Sequence, residues 1–279
     1  MDSNRVYFKD ARQMSEVDDN SVALVVTSPP YWNVKDYSLD GHQREQTSAP
    51  HLDQLGDIGA FGTYIDQLLT VWRECERVLR PNGKLAVNTP LMPIPKKDLN
   101  THYTRDIFDI NAAIQQSIVH KTGLFLYDVW IWNRANPTKK LMFGSYPYPP
   151  NFYAQNTVEF ISVFVKDGPP PKLPPETKQA SALTEAEWVE YTRQVWEIPI
   201  PNRGDPAYGK HPAIMPEEIA RRFIRLFTFS GDLVLDPFLG SGTTAKAAES
   251  LGRRWVGYEV NEKYAELIEE KVPPRPRST

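Results

Sequence analysis

Cysteine is almost absent from this chain of 279 residues, which contains only Cys75. A lone cysteine excludes an internal disulfide and any metal site built from a cysteine cluster, and no metal is predicted. Long apolar runs are also missing: no stretch of 18 apolar residues occurs, so no membrane-spanning helix is predicted. The N-terminus, Met1 to Arg5, lacks the apolar segment of a signal peptide, and we therefore expect a cytoplasmic protein.

A strong charge of one sign is lacking as well, since the formal net charge is −3 at pH 7. Proteins that coat nucleic acid without sequence preference need a strongly basic surface, so that class is not favoured, although a local basic groove is compatible with this composition. Prolines, by contrast, are numerous at 25 and occur in clusters. So many chain breakers predict long ordered loops on a sheet rather than a compact helical bundle.

Strands and helices are predicted to alternate along the chain. The clearest helix, 62–79, carries its apolar side chains at steps of three and four. Alternation of this kind predicts an α/β fold with a doubly wound, mainly parallel sheet, helices on both faces and inserted recognition loops. The predicted strands are 6–8, 22–26, 84–88, 127–132, 159–165, 233–235 and 255–258, and the other helices are one marked by Ile107, Ile110, Ile114 and Ile118, one opened by Pro216, and one at 245–251.

The apolar run Val22–Val26 leads directly into the segment Thr27 to Trp32, Thr-Ser-Pro-Pro-Tyr-Trp. Two consecutive prolines cannot continue a strand ladder, so the chain turns where the strand ends. Ligands bind at the carboxyl ends of strands in open α/β sheets. A hydroxyl, rigid proline carbonyls and two aromatic rings are therefore offered together at a predicted pocket. A proline-rich turn that only packs its aromatic rings is the alternative.

A second ligand site is predicted where the strand 233–235 runs into Asp236-Pro-Phe-Leu-Gly-Ser-Gly-Thr-Thr244 and then into a helix. Glycines in such a turn permit close backbone approach to a ligand. Phosphate is disfavoured, because no Gly-Lys-Ser/Thr is present and Asp236 would repel it. Glu259, at the end of the next strand, is placed to accept hydrogen bonds from ribose hydroxyls. A cationic nucleoside such as S-adenosylmethionine fits; a turn that serves only packing is the alternative.

Together, the two motifs resemble the catalytic and cofactor motifs of the amino-methylating DNA methyltransferases. The catalytic motif comes first here, which resembles the permuted order of the β-class. The resemblance covers about Val6 to Lys271 and implies a Rossmann-like methyltransferase fold, S-adenosyl-L-methionine as cofactor and double-stranded DNA as substrate. Other matching pieces are Asp10-Ala-Arg12, Val78 to Gly83, Trp130 to Asn133, Lys210 to Ala213 with Pro216, and Glu259 with Tyr264.

The resemblance implies a cofactor site assembled from both ends of the chain. The glycine turn would line the methionine side, Glu259 would take the ribose hydroxyls, Asp10 would read the adenine amine, and the helix start around His211-Pro212 would close over the cofactor. A surface Asp10 and a loop His211 that caps a backbone carbonyl are the alternatives. The implied residues are Asp10, Ala11, Thr27, His211, Pro212, Asp236, Pro237, Phe238, Gly240, Ser241, Gly242, Thr243, Glu259 and Val260.

The implied catalytic residues are Ser28, Pro29, Pro30 and Tyr31. An exocyclic amine of a base is a poor nucleophile because its lone pair is delocalised into the ring. Hydrogen bonds accepted by Ser28 Oγ and by the carbonyl of Pro29 or Pro30 favour a more tetrahedral nitrogen that can attack a methyl group. Tyr31 would stack on a base flipped out of the duplex. Family members with Ser at this position more often methylate the 4-amino group of cytosine, so the resemblance favours cytosine.

DNA contacts and domain limits are the remaining predictions. A single catalytic domain is expected over 1–271, divided into a catalytic half (1–133), a target-recognition segment (134–208) and a cofactor half (209–271), and the tail 272–279 is expected to be disordered. Within it, 33–60 is a candidate mobile flap, and Thr184–Trp196 a candidate insertion outside the core. The candidate DNA contacts are Trp32, Arg134, Lys139, Lys140 and Arg203, with core packing for Trp32 and solvated charge for the others as alternatives.

The sequence therefore predicts a sequence-specific DNA amino-methyltransferase, most like the cytosine-N4 enzymes and associated with the nucleoid through DNA. A cognate restriction endonuclease is a candidate partner, and both a monomer and a homodimer are compatible with the sequence. The same chemistry on the 6-amino group of adenine, or on an RNA or protein amide, is the alternative within enzymes. A DNA-binding protein that retains the fold without turnover is the alternative from another class.

Overall fold

The structure is a computed structural model that describes residues 2–32, 55–58, 60–94, 106–135, 147–150, 154 and 156–272. Among these residues, no helix combines the length and apolar character needed to cross a membrane. The strands are β1 (Arg5–Tyr7), β2 (Val22–Thr27), β3 (Leu79–Pro90), β4 (Met92–Ile94), β5 (Asp106–Phe108), β6 (Leu124–Arg134), β7 (Val158–Lys166), β8 (Val195–Ile198), β9 (Leu233–Asp236) and β10 (Arg254–Tyr258). The helices are α1 (Phe61–Val78), α2 (Ile110–Lys121), α3 (Pro175–Ala180), α4 (Glu185–Tyr191), α5 (Glu217–Phe227), α6 (Thr243–Ser250) and α7 (Ala265–Lys271).

Eight of these strands form one sheet in the order β1-β10-β9-β2-β3-β7-β6-β8. Every neighbouring pair is parallel except the two pairs made by β7, which runs antiparallel to β3 and β6. The short strands β4 and β5 pair with each other in a separate antiparallel ribbon. The predicted mainly parallel α/β sheet is confirmed.

Both faces of the sheet are covered by helices, because its central strands are apolar on both sides. Along β2, Val22 and Val25 pack into one core with α1 and α2. Leu24 and Val26 point the other way and pack with α5, α6 and α7. Successive side chains of a strand alternate between faces, so an unbroken apolar run is what a strand buried on both faces requires. The predicted doubly wound arrangement is therefore confirmed.

Pro81, Asn82 and Gly83, which separate the predicted helix 62–79 from the predicted strand 84–88, lie in an irregularity within β3. This strand begins at Leu79, directly after α1, and its register against β2 shifts between Val22 and Leu24. Asn82 has a positive φ of 61°, and a Cβ on Gly83 would lie 2.8 Å from the Arg80 carbonyl oxygen. The predicted breakers thus kink the strand without ending it, since β2 continues to pair with β3 on both sides of the kink.

Ile107 was predicted to mark the second helix, and this prediction is wrong. Ile107 lies in β5 and is 45% exposed. The helix begins only after Asp109, whose carboxylate accepts a hydrogen bond from Ala112 N at 3.0 Å. An N-cap residue satisfies backbone N–H groups that have no partner within the first turn, and this fixes the helix start at Ile110, three residues after Ile107.

The piece Thr184–Trp196 is not an insertion outside the core. Thr184 caps α4 through a capping box with Glu187, as its sequence favours, but Trp196 lies on β8, which is an edge strand of the main sheet. Trp196 is only 1% exposed and pairs with Trp132 of β6. The candidate recognition segment 134–208 therefore includes two strands of the sheet, β7 and β8. The candidate flap 33–60 lies outside the described residues except for 55–58 and 60. The predicted tail 272–279 lies outside them except for Val272.

Candidate active site

A cleft lies at the carboxyl ends of the parallel strands. Parallel pairing brings Asp236, at the end of β9, beside Gly257 of β10. Ser28 follows β2, and Asp10 follows β1, so both ends of the chain meet here. The lining residues are Asp10, Ala11, Ser28, Pro29, Pro30, Leu55, His211, Ala213, Met215, Asp236, Pro237, Phe238, Leu239, Gly240, Ser241, Thr243, Thr244, Tyr258, Glu259, Val260 and Tyr264.

Asp236 is buried at the base of the cleft, with hydroxyl and amide donors on both carboxylate oxygens. Thr27 Oγ1 donates to Oδ1 at 2.7 Å and Thr244 Oγ1 donates to Oδ2 at 2.7 Å. The Phe238 backbone N–H also donates to Oδ1, at 3.0 Å. Burial nevertheless raises the pKa of Asp236 to about 6, because removal from water disfavours the charged form. Thr27 itself does not line the cleft but holds one of its acids in place.

The glycine turn after β9 brings backbone and side chains close together. Gly240 and Gly242 both have positive φ, 53° and 86° respectively, a conformation that side-chain-bearing residues rarely adopt. A Cβ on Gly240 would lie 2.8 Å from His211 Nε2, so only glycine lets His211 approach the turn. The ring of His211 also lies against that of Tyr264, with centroids 4.7 Å apart.

Glu259 lines the cleft beside the glycine turn and is hydrogen-bonded to it. Gly240 N donates to Oε2 and Asn261 N donates to Oε1, each at 2.8 Å. Burial raises the pKa of Glu259 to about 7 despite these donors. The cleft therefore contains two acids whose charged forms are destabilised by their surroundings, and a ligand that carries positive charge or hydrogen-bond donors would favour ionisation of both.

Asp10 lines the cleft, but its carboxylate is already engaged by Arg12. Arg12 N and Arg12 Nε each donate to it at 2.8 Å. A carboxylate has about four lone-pair sites, so these bonds fix the orientation of Asp10 without filling its capacity to accept more donors.

Lys271 supports the glycine turn from below and was not anticipated from the sequence. The Lys271 side chain is only 2% exposed and forms an ion pair with Asp205 at 3.0 Å. Its ammonium group donates to Ser241 Oγ at 3.0 Å and to Thr243 Oγ1 at 3.1 Å. Burial lowers the pKa of Lys271. Nothing in the sequence near this lysine marks it, because the contact depends on how α7 folds back under the turn.

The Ser-Pro-Pro turn reaches the cleft from the β2 side. Ser28 Oγ lies 2.9 Å from Tyr31 Oη and 3.3 Å from the Asn88 carbonyl oxygen. The carbonyl of Pro30 accepts a hydrogen bond from Tyr64 Oη at 2.9 Å. Tyr31 is buried, and its hydroxyl also donates to Glu159 on β7 at 3.3 Å. Asn88, Tyr64 and Glu159 were not singled out in the sequence, where each stands alone among residues typical of a strand or helix.

Several predicted site residues do not reach the cleft. Trp32 packs against Phe61 and Phe108, and its Nε1 donates to the Ile58 carbonyl at 2.6 Å, as the core-packing alternative predicts. Arg134 donates to the Asn156 carbonyl, and Arg203 is exposed on a turn. Lys139 and Lys140 lie outside the described residues. Tyr31, Pro212 and Gly242 are near the cleft in the chain but do not line it.

Comparison with known proteins identifies a matching family and several relatives of this chain. A family model described as DNA methylase matches residues 22–270. The type II methyltransferase M.MjaI of Methanocaldococcus jannaschii is 33% identical, over 97% of this chain and 91% of the relative. The DNA adenine methyltransferase YhdJ of Escherichia coli K12 is 26% identical, over 91% of this chain and 77% of the relative.

A solved structure shares the fold throughout. TTHA0409 of Thermus thermophilus, described as a candidate DNA modification methylase and solved in complex with S-adenosyl-L-methionine, superposes with a TM-score of 0.74 at 30% identity and covers 97% of this chain and 95% of its own. The cleft fits that cofactor, since Asp236 and Glu259 offer negative charge and hydrogen-bond acceptors to a cationic nucleoside. The chain belongs to the DNA methylase family of N6- and N4-amino-methyltransferases and uses S-adenosyl-L-methionine.

Proposed function

We propose that this DNA methyltransferase acts on the exocyclic 4-amino group of a cytosine flipped out of a specific DNA sequence. The observation that carries the proposal is the position of Ser28, whose hydroxyl lies at the cleft wall within hydrogen-bond reach of Tyr31 and Asn88. A serine hydroxyl there can accept a hydrogen bond from an amine, and the two acids line the same cleft.

S-adenosyl-L-methionine supplies an electrophilic methyl group when bound. Glu259 would accept hydrogen bonds from the ribose hydroxyls, and Asp236, with the glycine turn fixed by Lys271, would face the methionine end. Asp10, already oriented by Arg12, would accept from the adenine amine. These roles place the chemistry between the glycine turn and Ser28, where the chain brings both motifs to one cleft.

The amine would be activated by acceptors rather than by a strong base. Ser28 Oγ would accept from one amine hydrogen and a proline carbonyl from the other, which favours a tetrahedral nitrogen. Because the Pro30 carbonyl already accepts from Tyr64, the Pro29 carbonyl is the better candidate for the second acceptor. The proton is released after the nitrogen is alkylated and becomes acidic, so no residue with a matched pKa is required beside it.

Adenine is the second candidate, favoured by one observation. YhdJ, a DNA adenine methyltransferase, aligns with 91% of this chain. The same pair of acceptors can hold the 6-amino group of adenine, since both bases present an amine with two hydrogens. The preference for cytosine therefore depends on the identity of residue 28 as serine.

The biological setting is proposed from the relatives. Several are named type II methyltransferases, which supports a role in restriction-modification beside a cognate endonuclease. Such a protein would act in the cytoplasm, on DNA of the nucleoid, and could do so as a monomer or as a homodimer. Arg203 and Lys139 with Lys140 remain the proposed phosphate contacts.

Nucleoside mass spectrometry tests the proposal. The protein is incubated with S-adenosyl-L-methionine and mixed-sequence DNA that lacks amino-methylated bases, and the digested product is analysed. We expect 4-methylaminocytosine; methyladenine alone would overturn the preference for cytosine, and no methylated base would overturn the activity on DNA.

A pair of variants at the two serines that flank β2 sharpens this test. Ser28→Ala should abolish most of the product while S-adenosyl-L-methionine binds with unchanged affinity. Ser21→Ala, at the amino end of β2, is the matched control and should leave the yield unchanged, because the Ser21 hydroxyl bonds to the Asp18 carbonyl in a surface turn away from the cleft.

A further inference from the structure

Glu159, near the start of β7, is a buried carboxylate that the proposed chemistry leaves without a role. The residue is 7% exposed. Asn88 Nδ2 donates to its Oε2 at 2.7 Å, and Tyr31 Oη donates to the same oxygen at 3.3 Å. Arg134 Nη1 lies 3.9 Å from Oε1 and supplies a cationic partner. A buried negative charge with several donors therefore stands two hydrogen bonds away from Ser28.

The donors and acceptors in this chain have a fixed order. An ionised carboxylate can only accept, so the single proton of the Tyr31 hydroxyl points at Glu159. The Tyr31 oxygen can then act only as an acceptor toward Ser28, whose Oγ is 2.9 Å away. The Ser28 proton consequently points at Tyr31, and its lone pairs are left for a donor in the cleft. The other acceptor for that proton, the Asn88 carbonyl, is more distant at 3.3 Å.

We infer that Glu159 is a positioning residue for methyl transfer, which acts through Tyr31 to hold Ser28 as a hydrogen-bond acceptor for the target amine. This inference rests on the proposed role of Ser28 and holds equally for cytosine and adenine. It also gives Tyr31 a part that differs from base stacking, since the hydroxyl relays the orientation and the ring is buried.

Glu159→Gln tests the order without changing the size of the side chain. An amide at this position presents a donor as well as an acceptor. With its nitrogen toward Tyr31, it would donate to the phenol oxygen and free the tyrosine proton to point at Ser28. With its oxygen toward Tyr31, its nitrogen would face the donors of Arg134. The first arrangement reverses the order that keeps the Ser28 lone pairs in the cleft. The second keeps an acceptor at Tyr31 but sets two donors, the amide N–H and the Arg134 guanidinium, against each other, so the amide does not hold the order as the acceptor-only carboxylate does.

The experiment is a double-mutant cycle on the single-turnover rate of methyl incorporation into unmethylated mixed-sequence DNA. We expect Glu159→Gln to slow transfer about 10-fold or more, while the Kd for S-adenosyl-L-methionine changes less than about twofold. Tyr31→Phe should also slow transfer. Once Tyr31 lacks its hydroxyl, Glu159→Gln should cost no more than about a further twofold, because the two residues act in series.

Glu197→Gln is the matched control, because Glu197 is an exposed carboxylate on β8 of the same sheet, and its rate should equal that of the wild type. Three results would each overturn the inference. The first is a wild-type rate for Glu159→Gln. The others are a rate loss from Glu159→Gln that is as large in the Tyr31→Phe background as in the wild type, and a loss of S-adenosyl-L-methionine affinity in Glu159→Gln that matches its loss of rate. Should Glu159→Gln not fold, a wild-type rate in Tyr31→Phe alone would do the same. A wild-type protein that methylates no DNA would instead overturn the proposed function.

Discussion

The two acids of the cleft differ in what surrounds them. Asp236 accepts from two threonine hydroxyls and one backbone N–H, so its carboxylate is committed to the shape of the turn. Glu259 accepts from the backbone N–H groups of Gly240 and Asn261 and sits at the cleft wall with capacity for more donors. At the scale of single residues, Glu259 is therefore the acid whose ionisation should respond most directly to the cofactor.

Cofactor affinity should depend on pH through Glu259. Its pKa is raised to about 7 by burial, so a large share of the ligand-free protein carries a neutral Glu259 below that pH. Ribose hydroxyls bond better to the charged form, so we expect the affinity for S-adenosyl-L-methionine to fall as the pH drops from about 7.5 to about 6, by at most about tenfold per pH unit. Calorimetric titration across this range measures it.

Glu259→Gln is the control for that prediction. Its affinity should be lower throughout but nearly constant around pH 7, apart from the contribution of Asp236, whose pKa is raised to about 6. The raised pKa of Glu259 also affects the stability of the ligand-free protein. The folded state binds the Glu259 proton more tightly than the unfolded state does, so stability falls as pH rises from the ordinary carboxyl pKa through about 7. An undiminished pH dependence of affinity in Glu259→Gln would assign it to another group.

At the scale of elements, β6, β7 and β8 extend the sheet beyond the parallel strands that carry the cleft. β8 is held there largely by Trp196, whose ring centroid lies 4.9 Å from that of Phe223 and 6.0 Å from that of Trp130. Because β7 in the same half carries Glu159 into the Ser28 network, packing at this edge of the sheet contributes to the geometry of the site.

Trp196→Ala should destabilise the protein by about 3–5 kcal/mol, the cost of leaving a large cavity in a packed core. Trp188→Ala is the matched control on α4, where the side chain is 59% exposed, and it should change stability by about 0.5 kcal/mol or less. Urea unfolding followed by circular dichroism gives both values. Similar small losses for the two variants would mean that β8 is not part of the folding unit.

At the scale of the whole molecule, the cleft joins the two ends of the chain. β1 and β2 supply Asp10 and Ser28, and β9 and β10 supply Asp236 and Glu259, so a ligand in the cleft contacts both halves. A bidentate ion pair, Arg80 with Asp232, at 2.7 Å for each bond, links the same halves near the amino end of β9. Unfolding of either half should therefore abolish the cofactor site.

S-adenosyl-L-methionine should stabilise the whole fold, by about 2.7 kcal/mol when present at about 100 times its Kd. Gly240→Ala should lose this gain, because a Cβ there would lie 2.8 Å from His211 Nε2 beside the bound ligand. Gly231→Ala shares the positive φ, at 80°, but has open space around the added Cβ and lies away from the cleft. Thermal unfolding with and without ligand should show a rise in Tm for the wild type and Gly231→Ala only.

The types and order of neighbouring residues were sufficient to predict two ligand-binding turns, the cofactor and most of the fold. Apolar periodicity marks α1, short apolar runs mark β2 and β9, and glycines and prolines mark the turns where ligands bind, because each of these signals depends on a few neighbouring residues. The same locality accounts for the errors. Ile107 was assigned to a helix by spacing, and Trp196 was placed outside the core because its paired strand, β6, lies 62 to 72 residues earlier in the chain.

Tertiary structure alone decided which residues meet. The Ser-Pro-Pro turn reaches the acids of the glycine turn only because β2 lies beside β9 in the sheet, although more than 200 residues separate Thr27 from the Asp236 carboxylate it bonds. Glu159, Asn88, Tyr64 and Lys271 acquire their contacts in the same way. A sequence carries the types of its donors and acceptors, but their pairing and order depend on distances that exist only after strands and helices have packed.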